Sequence, residues 1–215
     1  MTTPGSGLRE RKKLATHKAL REAALRLALE RGPDNVRVDD IADAAGVSPR
    51  TYNNYFSSRE EAIVAAVTAE RDARVAAAVA ARSPSVLLAD AVVEAIVEQY
   101  TEPGSHDPKL LLLITTCSPL RDAFLDAAAG VEDPLTAVIA KRIGDPDEHI
   151  ARVLSASVGA AVRIALQRWL GEAGTSATGG LVVPSGSLAE LLWTSLAPLA
   201  PALNDAAAYR RGDKV

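Results

Sequence analysis

Apolar residues recur along this 215-residue chain at spacings of three and four, the period of a helix with one buried face. The strict alternation expected of a strand is missing, apart from the three residues Leu181 to Val183. In "ERKKLATHKALREAALRLALERG" the helical spacing falls on Leu14, Leu20, Ala24, Leu27 and Ala28, and Gly32-Pro33 ends the pattern. A short second helix follows in "VRVDDIADAAG", with Val38, Ile41 and Ala45 on one face, Asp39 and Asp40 at its positive end, and Gly46 as a left-handed terminator. Ser48 is a good N-cap and Pro49 a good first position, so a third helix is predicted from Pro49 to about Phe56. Ser57 or Ser58 caps a fourth, long and alanine-rich, with Glu60 and Glu61 in its first turn.

Beyond Ser83-Pro84 the pattern stays helical through "SVLLADAVVEAIVEQY", "DPKLLLLITTC" and "SPLRDAFLDAAAGVEDPLTAVIAKRIG", the last bent or interrupted near Gly130 and Pro134. "DPDEHIARVLSASVGAAVRIALQRWLG" and "SLAELLWTSLAPLAPAL" complete the set, separated by "EAGTSATGGLVVPSG", whose composition suits a mobile link. The expected class is all-α, about nine helices, with no internal repeat.

Composition narrows the function. Hydrophobic residues at 48% and charged ones at 24% are ordinary for a globular protein. A lone Cys117 with scattered His17, His106 and His149 offers no metal-ligand spacing, so neither metal nor cofactor is expected, and a reducing, cytoplasmic setting fits. Uncharged apolar runs fall short of the ~20 residues of a membrane span, and the N-terminus has no apolar h-region. The nucleophile-elbow, phosphate-loop and zinc-protease motifs are missing, so an enzyme is not expected. Net charge is −3, but residues 1–59 hold eleven Lys or Arg against seven Asp or Glu, so a basic head precedes an acidic body.

Three of the chain's eight aromatic residues crowd into "SPRTYNNYFSSREE". At 100° per residue Tyr52 and Phe56 share one face, Tyr55 lies at its edge, and Arg50, Thr51, Asn53 and Asn54 point away. Ala42, Gly46 and Tyr52 hold the small, turn and core positions of a helix-turn-helix. Arg pairs with guanine edges, Asn with adenine, and the Thr methyl with thymine, so the polar face suits a major groove, although it would also serve as a plain solvated surface.

"REAALRLALERG", "VDDIADAAGVS" and "RTYNNYFSSREEAI" together resemble the TetR family of bacterial transcriptional regulators from about Arg9 to Ala66. Tyr52 stands where that family often has Leu, Asn53 where it has Tyr, Tyr55 where it has His, Arg59 where it has Lys, and Ala28 where it has Phe. The resemblance implies a homodimer that binds a palindromic double-stranded DNA operator, represses, and is released by a small-molecule effector, with no membrane partner. DNA contacts are expected from Arg37, Ser48, Pro49, Arg50, Thr51, Asn53, Asn54, Tyr55 and Arg59. Residues 1–60 would form the DNA-binding head, 61–203 the ligand-binding and dimerising body, and 204–215 a polar tail. Small residues Ser155, Ala156, Gly159 and Ala160, with the leucine stripe around Trp193, would pair two copies. Tyr100, Ile114, Cys117, Arg121, Phe124, Arg163, Gln167 and Trp169 are the candidate contacts for a largely apolar ligand, a fatty acid or acyl-CoA among them. The alternative is a helix-turn-helix protein without such a ligand, acting architecturally or under a partner protein.

Overall fold

The computed structural model describes residues 4–102, 108–128, 132–175 and 187–212. The regular structure of the described residues is all helical, with no strand: α1 (Pro4–Arg31), α2 (Val38–Ala44), α3 (Pro49–Tyr52), α4 (Arg59–Ala81), α5 (Leu88–Thr101), α6 (Pro108–Thr116), α7 (Ser118–Ala127), α8 (Glu132–Ile143), α9 (His149–Thr175), α10 (Leu188–Leu196) and α11 (Ala200–Gly212). Their number agrees with the expected nine or so, two of the predicted helices each being divided. Pro198 lacks a backbone donor and turns Ala197–Leu199 into a 3-10 step between α10 and α11. Pro134 lies inside the first turn of α8, where a missing donor costs little. Gly130, the strand-like Leu181 to Val183 and most of the expected mobile link lie outside the described residues.

The chain divides into two compact units, Met1–Thr68 with Pro108–Phe124, and Ala69–Asp107 with Leu125–Val215. The boundary between Thr68 and Ala69 falls within α4, an unbroken helix with no Gly or Pro to end it.

In the first unit the core collects Leu20, Ala24, Leu27 and Ala28 of α1, Val36, Ile41 and Ala42 around α2, Tyr52 and Phe56, and Ile63 and Val64 of α4. Burying each large apolar side chain contributes about 1.5–3 kcal/mol. Leu14, expected on the buried face of α1, is 61% exposed.

In the second unit α9 packs against α8 and α10, while α5 packs against α10 and α11. Several helix ends are closed by side chains from elsewhere. Leu87 precedes α5 and cannot cap it, so Asn204 of α11 accepts from the Ala89 N–H at 3.0 Å. The expected polar tail is thus helical to Gly212, with Ala207 buried. Asp145 accepts from Ile150 and Ala151 at 2.9 and 3.1 Å, satisfying two open donors of α9. Arg142 of α8 donates to the carbonyls of Val79, Arg82, Ser83 and Val86, closing the C-terminal end of α4 and the loop after it. Among the described residues only His149–Gly171 is long and apolar enough for a membrane span, and half of that stretch is buried within the fold.

Charge also enters this core. The Arg71 guanidinium sits 3.9 Å over the ring of Tyr100, and Asp72 is buried beside it. Burial pushes the Tyr100 hydroxyl up to about 12. It raises the Asp72 carboxyl to about 6 against the opposing pull of Arg71. The folded protein therefore retains a proton that the unfolded chain releases near pH ~4. As pH rises from there to about 6 this carboxyl lowers stability, and above that the penalty is complete. Asp72→Asn should consequently gain more stability over wild type at pH 7.5 than at pH 4.5; urea melts at the two values check this.

Candidate nucleic-acid interface

The exposed polar face of the head depends on how a very short helix is held. Ser48 caps α3 by accepting from the Thr51 N–H at 3.1 Å, and the two hydroxyls share a further hydrogen bond at 2.9 Å. Pro49 follows at the first helical position. The α-helix then stops at Tyr52 rather than near Phe56, because Asn53 and Asn54 are weak helix formers and the chain tightens into a turn. The Tyr55 N–H bonds the Tyr52 carbonyl at 2.8 Å, three residues back. Upstream, Gly46 supplies the φ of 70° that the turn after α2 needs, and the Val47 N–H returns to the Ala42 carbonyl at 2.9 Å.

Tyr52 anchors the segment. Its ring is fully buried, and its hydroxyl donates to the Ser58 carbonyl at 2.7 Å. Burial, reinforced by Glu61 and Glu60, raises its pKa and keeps that donor protonated. Phe56 is buried beside it, with ring centroids 5.7 Å apart. His17 of α1 stacks on Phe56 at 4.8 Å and lies 5.9 Å from Tyr55. Burial, then Arg21, lowers the pKa of His17, so it packs here as a neutral ring. Sequence patterning did not single out His17; its position one turn before Arg21 on α1 was the only available signal.

Ser58 also caps α4, accepting from the Glu61 N–H at 3.1 Å, while the Glu61 carboxylate accepts from the Ser57 N–H and hydroxyl, both at 2.7 Å. The side chain that anchors α3 and the residue that starts α4 are thereby joined.

With this anchoring, Arg50, Asn53 and Asn54 are exposed, Thr51 and Tyr55 are half-buried, and Ser48 and Pro49 are exposed at the start of the segment. Arg37 is exposed at the N-cap of α2, where its backbone N–H donates to Asp40 at 3.0 Å. These residues lie on the α2–turn–α3 element and give it two outward cations and two amides. Such groups can read base edges and meet phosphates.

Arg59 has different surroundings. Its Nε donates to Glu60 at 2.6 Å, one terminal nitrogen donates to the carbonyls of Asp34 and Val36 at 3.2 and 3.0 Å, and the other lies 3.6 Å from the Asp34 carboxylate. The guanidinium therefore ties the start of α4 to the segment leading into α2, a task that needs its planar fork.

The eight residues expected to touch a ligand are distributed between the units. Ile114 and Phe124 are buried in the first, with Cys117 and Arg121 half-buried. In the second, Tyr100 is buried under Arg71, Arg163 is paired with Asp126 at 2.8 Å, Trp169 is half-buried and Gln167 is exposed. Among the described residues, no group of three or more His, Cys, Asp or Glu is placed to hold a metal.

Because Arg59 works through a fork, both Arg59→Ala and Arg59→Lys should destabilise the protein, by about 1–3 kcal/mol for the lost charge-assisted hydrogen bonds. Thermal melts check this; a Lys variant as stable as wild type would contradict the clamp.

The family model described as "Bacterial regulatory proteins, tetR family" matches residues 20–66. The HTH-type transcriptional regulator TcmR of Streptomyces glaucescens is 40% identical over 76 residues, covering 35% of this chain and 34% of that protein. The HTH-type transcriptional regulator BetI of Rhizobium meliloti (strain 1021) is 41% identical over 71 residues, 31% of this chain and 35% of that protein. The chain thus spans about a third of the length of these curated relatives. Among solved structures, a chain described as a TetR-family transcriptional regulator from Rhodococcus sp. aligns with a TM-score of 0.44 at 18% identity, over 88% of this chain and 98% of its own. The fatty acid degradation regulator FadR from Bacillus halodurans aligns with a TM-score of 0.43 at 16% identity, over 86% and 94%. Over residues 20–66, which enclose the turn at Gly46, the buried Tyr52 and the clamp at Arg59, the chain is similar to the tetR family of bacterial regulatory proteins.

Proposed function

We propose that this protein is a sequence-specific DNA-binding regulator that works as a homodimer in the cytoplasm and is released from a palindromic operator by a small, largely apolar effector. The observation that carries the reading is the exposed face of Arg50, Asn53 and Asn54, held outward by a buried Tyr52. Arg50 would pair with a guanine edge and the two amides with adenine, while Tyr55 and Arg37 lie at the margins where phosphates run. Arg59 supports this face by positioning it, through the segment that leads into α2.

The dimer reading draws on α9. Val153, Ser157, Ala160 and Ile164 fall within about 60° of one another around the helix. Val153 is 55% exposed and Ile164 59%, and Trp193 of α10 is 46% exposed. Exposed apolar side chains spaced by helical turns suit a second copy, packed through α9 and α10 of each. Of the small residues expected to mediate that pairing, Ser155 and Gly159 are buried within the chain and Ala160 is exposed.

Selection of operators from random DNA, followed by a screen for metabolites that release the selected duplex, tests the function as a whole. On the selected operator, Arg50→Ala should lose discrimination of about 1–3 kcal/mol at one base pair per half-site. Equal affinity of that variant for intact and altered operators, at undiminished strength, would remove Arg50 from base reading. Light scattering should give a dimeric mass without DNA, and Val153→Glu with Ile164→Glu should shift it to the monomer.

A further inference from the structure

A groove of about 500 Å³ opens between the end of α4 and the outer face of α8. We infer that this groove binds an anionic amphiphile, a carboxylate bearing an apolar chain, with Lys141 holding the head group. Its volume lies in the range of small-molecule sites, roughly 300–1,000 Å³. Val79, Ala80, Pro84, Ala137 and Val138 provide an apolar bed.

The charges in the lining are all positive: Arg82, Lys141 and Arg142, with no Asp or Glu among them. They are not equivalent. Arg82 is held between Glu94 and Glu98 at 3.5 and 2.6 Å. Arg142 spends its donors on four carbonyls at the end of α4, and this also cancels the negative end of that helix beside the groove. Lys141 is exposed and makes no ion pair among the described residues, so its ammonium is available to a carboxylate. On its far side a second hollow includes Asp145 and Glu148, whose charge would keep an anion at Lys141 and direct the chain over Val79 and Val138.

Only the identification of this ligand as the effector rests on the regulator reading; binding itself does not. Calorimetry of the full-length protein with dodecanoate as probe separates the two. Saturable binding is expected, at least tenfold tighter than that of dodecyltrimethylammonium, weakened tenfold or more by Lys141→Glu and abolished by Ala137→Trp. Both substituted residues are exposed, so the variants should melt like wild type. Failure of dodecanoate to bind, equal binding of the two amphiphiles, or unchanged affinity in both variants would overturn the inference. If binding behaves as expected, release of the selected operator by dodecanoate identifies it as effector, and retention of the operator leaves the groove in place while removing that regulatory link.

Discussion

The hydroxyl of Tyr52 and the carbonyl of Ser58, 2.7 Å apart, are the contact on which the head's outward face depends. Tyr52 is buried to 0% exposure, where leaving its donor unmet would cost about 1–3 kcal/mol. The partner it finds is the cap residue of α4, so α3 and the next helix are joined by one hydrogen bond. A four-residue helix has no independent stability, since isolated helices shorter than about 12–15 residues are marginal in water. Its orientation is therefore tertiary in origin: Tyr52 and Phe56 hold it from below, His17 closes the side, and Arg50, Asn53 and Asn54 are left facing out.

Arg59 extends the same logic one step. By bonding the carbonyls of Asp34 and Val36 it fixes the approach to α2, and so the first helix of the pair as well as the second is referenced to the start of α4. The cation at that position is engaged within the chain and fixes the geometry of the segment before α2. Arg rather than Lys is needed here, because an ammonium is a point donor and cannot span two carbonyls and a carboxylate in one plane.

In the second unit, helix ends are closed from a distance by Asn204 and Arg142, and locally by Asp145 just ahead of α9. Arg142 and its neighbour Lys141 divide the work of adjacent cations: one is consumed in holding α4 to α8, the other remains at the groove. The Arg71, Asp72 and Tyr100 cluster is a buried polar island of a different kind, in which a carboxyl raised to about 6 offsets part of what the apolar core contributes.

What the sequence determined was local. Gly46 as a positive-φ residue, Ser48 and Pro49 at the start of α3, a cap at Ser57 or Ser58 with acids in the first turn of α4, and the separation of Tyr52 and Phe56 from Arg50 and Asn54 all follow from interactions within about one helical turn, which spacing alone reveals. The all-α class follows from the same periodicity. Only the tertiary structure decided that Arg59 reaches back 25 residues to Asp34, that Asn204 caps α5 from 115 residues away, that Leu14 stays exposed, and that Ser155 and Gly159 face inward while Ala160 faces out. Each of these depends on which remote surface a side chain meets, and helical periodicity records that a face is apolar without recording what covers it.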